Sequence, residues 1–217
     1  MSNPQPATPP SRVVLDGRYA RLEPLVPGHA EDLFAAATPP DAEQRFVYLP
    51  SYPPVSAEAL RDWIVSQQNL SDPILFAVID KATGKPGGWQ QMMRIVPKDG
   101  VIEIGYVYWG PSLSRTRVAT EALYLFARHV FEDLGYRRFE WKCNNANEPS
   151  KAAAARFGFT YEGLFRQHMI VKGQSRDTAW FSMLDTEWPT RKAGFDRWLD
   201  PSNFDMDGKQ RTKLQVY

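Results

Sequence analysis

Cysteine and histidine are both scarce in this sequence, and their scarcity removes several kinds of site from consideration. The one cysteine, Cys143, cannot form a disulfide within the chain, so no disulfide framework is expected. The three histidines, His29, His129 and His168, are far apart and lack the spacing of metal ligands. No serine–histidine–aspartate order appears, which leaves hydrolase chemistry with little support.

The sequence also lacks an excess of charge and any long apolar run. It holds 26 basic and 25 acidic residues, whereas a general nucleic-acid binder needs a basic excess to neutralise phosphates. No apolar run approaches the length of a membrane span, and the first residues, MSNPQPATPPSR, lack the apolar core of a signal peptide. We therefore expect a cytoplasmic protein without nucleic-acid or membrane partners, either a monomer or a homodimer.

The composition that remains is that of one globular domain with two extensions. Residues 1–12 are rich in proline and polar side chains, which predicts a flexible N-terminal tail. Residues 13–188 carry the periodic apolar pattern of the domain itself. Residues 189–217 predict a helix followed by a polar extension that packs on the domain only in part.

The pattern inside the domain predicts an α+β fold. A strand at residues 18–25 and helices at 28–37 and 56–69 precede three strand candidates, ILFAVID, GWQQMMRIV and VIEIGYVYWG. The glycine- and proline-containing turns between these strands are typical of antiparallel hairpins. An amphipathic helix ending at Gly135 then leads to the strand RRFEWKC, a short helix ending at Gly158, two more strands and a last helix. A strand–helix–strand crossover therefore lies within a mostly antiparallel sheet.

Two arginines at the start of the amphipathic helix, in SLSRTRVATEA, give the first functional signal. Arg115 and Arg117 stand at the positive end of a helix dipole, where cations cost stability unless an anion binds there. The loop is neither a P-loop nor the glycine triplet of a dinucleotide site. This stretch alone is consistent with a bound anion or with solvated arginines.

Other residues allow both a chemical and a structural interpretation. Glu103 is a lone carboxylate in the apolar strand VIEIGYVYWG. It is a candidate general base, because burial raises the pKa of a carboxylate, or a cross-strand partner for a cation such as Arg94. Asn147 or Glu148 is expected to cap the next helix, with Ser150 as a polar residue in its first turn.

The run RTRVATEALYLFARHVFEDLGYRRFEWKCNNANEPSKAAAARFGFTYEG resembles the GNAT acyltransferase superfamily, in its RimJ/RimL-like N-acetyltransferase branch. The segment ending in ATEA, a strand ending in Asn, and N-x-x-S before a helix closing in R-x-G-F occur in the order of that branch. The resemblance implies a GNAT fold: a mostly antiparallel twisted sheet with helices on both faces and a splayed strand pair that holds acyl-CoA. It also implies transfer of an acetyl group from acetyl-CoA to a primary amine, on a small molecule or a protein N-terminus, by direct attack. The alternative is an acyl-CoA-binding sensor or scaffold without turnover.

The resemblance also implies roles for single residues. The resemblance implies that the loop cradles the pyrophosphate of acetyl-CoA. When the superfamily pattern Q/R-x-x-G-x-G/A is aligned with this loop, Ser114 stands at the Gln/Arg position, Arg117 at the first glycine and Ala119 at the last position. Glycine is usual there because it has no Cβ, and the guanidinium of Arg117 could add a phosphate contact instead. The catalytic candidates are Glu103 as base and Ser150 as the acid beside the cofactor sulfur. The cofactor-binding candidates are Val107, Tyr108, Trp109, Ser114, Arg115, Thr116, Arg117, Val118, Ala119, Thr120, Asn144 and Asn147.

The acceptor is less well defined than the donor. Aromatic residues in the proline-rich loop, Phe46, Tyr48 and Tyr52, are candidates for an acceptor pocket, and packing under the sheet edge explains them equally well. Arg166 on a later strand would contact the acceptor or pair with Asp177. No pattern identifies the acceptor amine or the length of the acyl chain.

Overall fold

Residues with alternating apolar side chains form one eight-stranded sheet in the computed structural model, which describes residues 5–217. The sheet order is β1-β2-β3-β4-β5-β6-β8-β7, and the neighbouring strands are antiparallel except for the parallel pair β5–β6. This architecture confirms the predicted α+β fold. The strands are β1 (Leu15–Asp16), β2 (Ala20–Pro24), β3 (Ile74–Asp80), β4 (Lys85–Val96), β5 (Val101–Trp109), β6 (Arg138–Asn144), β7 (Thr160–Val171) and β8 (Gln174–Leu184).

Helices cover both faces of the sheet. Helices α1 to α3 pack over β2 to β5 on one face, whereas α4 and α6 lie on the other. None of the helices within residues 5–217 is long and apolar enough to span a membrane. The helices are α1 (Ala30–Ala37), α2 (Ala42–Phe46), α3 (Ala57–Gln67), α4 (Arg117–Arg128), α5 (Glu148–Arg156) and α6 (Trp188–Leu199).

The larger core lies between the sheet and α4. Phe76, Ile104 and Phe139, on three different strands, are buried against this helix. The apolar stripe of α4 supplies Leu123 and Phe126, which are fully buried, and the rings of Phe126 and Phe76 meet edge to face at 5.1 Å. Each such side chain contributes about 1.5–3 kcal/mol, so this interface fixes α4 firmly beneath the central strands.

Both ends of the described chain make specific contacts with the domain, more than their polar composition suggests. Of the predicted N-terminal tail, residues 1–4 lie outside the described residues, and residues 5–12 are anchored. The amide of Ala7 donates to the carbonyl of Pro97 (3.0 Å), and Arg12 donates to two carbonyls at the end of α3. At the other end Val216 is fully buried, and its carbonyl accepts from Arg191 (2.7 Å). The C-terminal extension therefore packs on the domain as far as Val216.

Candidate active site

The strands β5 and β6 separate in the middle of the sheet. Their parallel ladder begins at Val101↔Arg138 and stops at Ile104↔Trp141, after only four pairs. Beyond this point β6 stays paired with β8, and β5 stays paired with β4, so β5 and β6 diverge. Residues 105–109 of β5 therefore have one backbone edge without a strand partner. Unpaired amides on a strand edge are donors for an extended ligand.

A β-bulge marks the point where β5 diverges. Gln91 is paired with Gly105, whereas Trp89 is paired with Tyr108, so β5 has an additional residue in this stretch. Tyr106, within the bulge, has a left-handed backbone with φ of 46°. Bulges bend a strand and re-aim its side chains, so the bulge explains why β5 leaves β6 here.

The loop after β5 leads directly into the N-terminus of α4. Thr116 caps the helix, because its hydroxyl accepts from the amide of Ala119 at 3.4 Å. The backbone amides of Arg115, Arg117 and Val118 have no hydrogen-bond acceptor within residues 5–217. Three open amides at the positive end of a twelve-residue helix form a cradle for an anion.

The two arginines of this loop have different surroundings. Arg115 is exposed and carries the left-handed backbone of the loop, with φ of 64°. Arg117 is the first residue of α4, so the position that is usually glycine in the superfamily has a helical backbone here. Its guanidinium carbon lies 4.3 Å from the ring centre of Tyr19 and 5.2 Å from that of Phe204. The side chain of Arg117 is thus engaged by two aromatic rings.

A third arginine supports the start of α4 from the neighbouring helix. Arg156 donates to the hydroxyl of the buried Thr120 at 3.1 Å and lies over the ring of Trp198. Burial lowers the pKa of its guanidinium, and no carboxylate within residues 5–217 forms an ion pair with it. Arg156 was not among the candidates predicted from the sequence, although it is the arginine of the R-x-G-F motif. Ser114, by contrast, donates to the carbonyl of Trp109 (2.7 Å) and shapes the loop.

Ser150 lies where β6 meets α5. Asn147 is the helix cap, because its side-chain oxygen accepts from the amide of Ser150 at 3.1 Å. The hydroxyl of Ser150 accepts from the indole N–H of Trp141 at 3.0 Å, which leaves its own proton to donate. Burial raises the pKa of the neighbouring Cys143 thiol, and the hydroxyl of Ser150 opposes that rise. Asn144 turns the chain by accepting from the amide two residues later.

Glu103 is buried, but it is not a lone carboxylate. Its Oε2 atom accepts from Arg94 Nη1 at 2.6 Å and from Lys142 Nζ at 2.8 Å. Only 4% of the Glu103 side chain and 4% of the Lys142 side chain are exposed. The cross-strand partnership with Arg94, one of the two interpretations that the sequence allowed, is thus present, and the role of Glu103 as a base stays a prediction. The Oε1 atom has no hydrogen-bond donor within residues 5–217.

The ion pairs continue across the sheet beyond Glu103. Lys142 also contacts Glu140 at 2.5 Å, and Arg138 joins Glu140 to Glu162 on β7. The Arg138 guanidinium lowers the pKa of the Glu162 carboxyl to about 2, and the hydroxyl of Ser182 adds to this effect. We call the set of Arg94, Glu103, Arg138, Glu140, Lys142 and Glu162 the sheet network.

The aromatic residues of the proline-rich segment have two different environments. Phe46 is only 1% exposed and belongs to the core under α1 and α3, so the structure gives it the packing role. Tyr48 donates to the carbonyl of Ala146 (3.0 Å), which joins this segment to the turn before α5. Tyr52 is 66% exposed, and the ammonium of Lys172 lies 4.4 Å from its ring centre. Tyr48 and Tyr52 therefore remain candidates for contact with an acceptor, whereas Phe46 positions them.

Arg166 is exposed on β7. It does not pair with Asp177, because that carboxylate accepts from the amide of Gln167 at 2.7 Å. A further residue without a sequence signal is Gln90. It donates to a carbonyl of α4 (3.0 Å) and accepts from the indole of Trp109 (3.3 Å), and so ties β4 to β5 and α4.

Comparison with known proteins agrees with this geometry. The acetyltransferase (GNAT) domain family matches residues 20–160. An N-acetyltransferase of Bacillus licheniformis named p20, described as uncharacterized, is 31% identical over 117 residues, 52% of this chain and 63% of that protein. YdaF of Bacillus subtilis, provisionally named a ribosomal N-acetyltransferase, is 31% identical over 90 residues, 42% of this chain and 49% of YdaF. The matched parts thus span less than two thirds of these two relatives.

Solved structures match over nearly the whole chain. A GCN5-related N-acetyltransferase from Brucella melitensis is 54% identical, with a TM-score of 0.94, and the match covers 97% of this chain and 96% of that one. The match to a ribosomal-protein-S5-alanine acetyltransferase from Vibrio fischeri has a TM-score of 0.66 at 15% identity and concerns the fold alone. The splayed strand pair, the amide cradle and these relatives lead to one conclusion: the chain belongs to the GNAT family of N-acetyltransferases.

Proposed function

We propose that the protein transfers an acetyl group from acetyl-CoA to a primary amine, by direct attack of the amine on the thioester. The observation that carries this proposal is the end of the β5–β6 ladder at Ile104↔Trp141, beside an α4 N-terminus with three open amides. A strand edge and a helix N-terminus meet at one opening, and they match a ligand with an extended amide arm and a diphosphate.

The residues around this opening fit acetyl-CoA. The amides of Arg115, Arg117 and Val118 would bind the pyrophosphate, and the exposed side chain of Arg115 would add a charge-assisted contact. The free edge of Val107, Tyr108 and Trp109 would pair with the pantetheine arm. Arg117, held by two aromatic rings, serves this site through its backbone.

Three chemical tasks remain for the side chains. The acceptor must lose a proton, the developing oxyanion must be stabilised, and the leaving thiolate must be protonated. We assign the first task to Glu103 acting through a water molecule, because its Oε1 atom is free while Oε2 holds two cations. Amides of the splayed part of β5 would stabilise the oxyanion. Ser150 would protonate the thiolate, since the bond from Trp141 leaves its hydroxyl proton available.

The proposal is tested by offering acetyl-, propionyl- and succinyl-CoA with a panel of small amines and N-terminal peptides, and by weighing the products. Formation of an N-acetyl product with release of free CoA supports it. Thioester hydrolysis without an acylated amine, or binding without turnover, would contradict it. The screen also determines which acyl group and which acceptor class the enzyme prefers.

The cradle is tested separately by measuring acetyl-CoA affinity in Arg115→Glu. Loss of one charge-assisted contact, worth about 1.5–3 kcal/mol, predicts an affinity at least about tenfold weaker. Arg137→Glu makes the same charge change at an exposed residue that immediately precedes the first residue of β6. Its affinity for acetyl-CoA should equal that of wild type. Equal dissociation constants for both variants by calorimetry would refute the cradle.

A further inference from the structure

Arg176 on β8 is a partly buried cation beside the cleft that has no role in the steps above. Burial lowers the pKa of its guanidinium. Its charge acts on Glu103 of β5 and on the Cys143 thiol of β6, the two strands that diverge. Its Nε donates to Thr178, which is paired with Asn144 at the end of β6, so the guanidinium lies next to the strand end that borders the cleft.

Arg176 forms no ion pair within residues 5–217. The sheet network contains three carboxylates, Glu103, Glu140 and Glu162, and three cations, Arg94, Arg138 and Lys142, so it is balanced without Arg176. No carboxylate within residues 5–217 lies in ion-pair distance of Arg176. The nearby Asp177 is engaged by the amide of Gln167. A desolvated cation with no counter-ion is costly unless a ligand supplies the negative charge.

The guanidinium is also held in a defined orientation. Its Nε donates to the hydroxyl of Thr178 at 3.1 Å, and that hydroxyl lies 3.0 Å from His168 Nδ1. Thr178 is only 1% exposed and stands on the same strand. The two Nη atoms of Arg176 have no acceptor within residues 5–217. A fixed guanidinium edge with free N–H groups matches the two oxygens of a carboxylate.

The rest of the hairpin formed by β7 and β8 agrees with an anionic ligand. Lys172 donates to the carbonyl of Phe46 at 2.8 Å and lies over the ring of Tyr52, and no carboxylate of residues 5–217 lies in ion-pair distance of it. Arg166 on the same hairpin also makes no ion pair within residues 5–217. The β7–β8 hairpin thus carries three cations that have no paired acid within residues 5–217, and this excess of positive charge favours a negatively charged substrate.

We propose that the Nη edge of Arg176 binds a carboxylate carried by one of the two substrates. This inference rests on the proposed function, because it names the substrate class of the same cleft. The carboxylate belongs either to the acceptor, as in an amino acid, or to the acyl chain, as in succinyl-CoA. Both sources present the same group to Arg176, and substrates that differ only in that group distinguish them.

The experiment compares two matched substrate pairs. Alanine and alaninamide are offered with acetyl-CoA, and succinyl-CoA and acetyl-CoA are offered with alaninamide. The enzymes are wild type, Arg176→Gln, Arg176→Lys, and Arg21→Gln, which removes an exposed arginine of β2 paired with Glu23. We expect wild type and Arg21→Gln to prefer the carboxylate member of one pair by about 10- to 100-fold in kcat/KM. Arg176→Gln should lose this preference while its rate with the other member stays within about twofold, and Arg176→Lys should keep part of it.

The pair that shows the preference identifies which substrate carries the carboxylate. Equal rates within both pairs for wild type, or a preference that survives in Arg176→Gln, would overturn the inference. If wild type acylates none of these amines, that result counts against the proposed function. Calorimetric titration with succinate then tests the carboxylate site at Arg176 by itself. Succinate binding that is lost in Arg176→Gln supports the site, and no binding to wild type overturns it. Thermal melting of each variant verifies folding, and Arg176→Lys provides the comparison if Arg176→Gln melts early.

Discussion

Replacement of Glu103 by glutamine separates the two roles of this residue, because it keeps the shape of the side chain and removes the charge. At the 2.8 Å between Lys142 Nζ and Glu103 Oε2, Coulomb attraction is about 6 kcal/mol at an effective dielectric constant of about 20. Desolvation offsets most of this attraction, and removing one partner of a buried pair costs about 3–5 kcal/mol. Lys142 retains Glu140, so we expect Glu103→Gln to lower the free energy of unfolding by about 2–4 kcal/mol.

Urea denaturation of wild type, Glu103→Gln, Lys142→Met and the double variant measures this coupling directly. The double variant should lose less than the sum of the two single variants, because the second change removes the charge that the first one leaves unpaired. A loss below about 1 kcal/mol in Glu103→Gln, with additive single effects, would refute the structural account. Turnover per folded molecule tests the base separately, and we expect it to fall by about 10²–10⁴-fold. Unchanged turnover with an unaltered pH–rate profile would leave Glu103 with the structural role alone.

Three further variants test other parts of the site. Ser150→Ala should reduce the single-turnover rate by about tenfold to a hundredfold, and equal rates would refute the acid assignment. Because the helix cap is Asn147, the loss of stability should be limited to the hydrogen bond from the Trp141 indole, about 1–3 kcal/mol. Gly88→Ala places a Cβ 2.2 Å from the Tyr108 carbonyl oxygen, so it should displace β5 and lower kcat by at least about tenfold. The control is Gly28→Ala, whose Cβ meets no atom within 4 Å and which should have the kcat of wild type. Glu162→Gln should lower stability by about 1 kcal/mol at neutral pH, a figure reduced for screening because 38% of the side chain is exposed. The folded-state pKa of Glu162 is about 2, below its ordinary 4.5, so the extra stability of wild type over Glu162→Gln should disappear as pH falls from about 4.5 to 2. A stability difference in urea titrations that does not depend on pH would contradict the ion pair between Glu162 and Arg138.

The fold was largely predictable because its elements carry periodic patterns longer than one turn. The apolar stripe of α4 and the alternation of β3, β5 and β6 each bury one face, so sequence spacing reveals them. α2 was not predicted, because a five-residue helix, Ala42–Phe46, inside a proline-rich segment is too short to show a helical period. Tertiary contacts alone give this segment its helix and bury Phe46.

The candidate site was predicted only in part, because its electrostatics depend on which strands become neighbours. In RRFEWKC, the charged residues alternate with apolar ones and resemble a solvated strand face. The structure buries Lys142 and Glu140 because Glu103 of β5 pairs with Lys142, while Lys142 and Arg138 of the same strand pair with Glu140. Arg176 gave no signal for the same reason: its lack of a partner is visible only when its neighbours are known. The cradle at the α4 N-terminus could be predicted without knowing which strands are neighbours, because the loop and the helix that form it are adjacent in sequence.

The separation of β5 from β6 divides the sheet into two halves that are each continuous in the chain. β1 to β5 lie within residues 15–109 and contribute Glu103 and the free strand edge. β6 to β8 and helix α5 lie within residues 138–184 and contribute Ser150, on α5, and Arg176, on β8. The four pairs between β5 and β6, together with α4, join these halves. A single recombination within α4 would therefore exchange one entire wall of the cleft between related enzymes. Such an exchange would combine Glu103 and the free strand edge of one enzyme with Ser150 and the residue at position 176 of another in one genetic event.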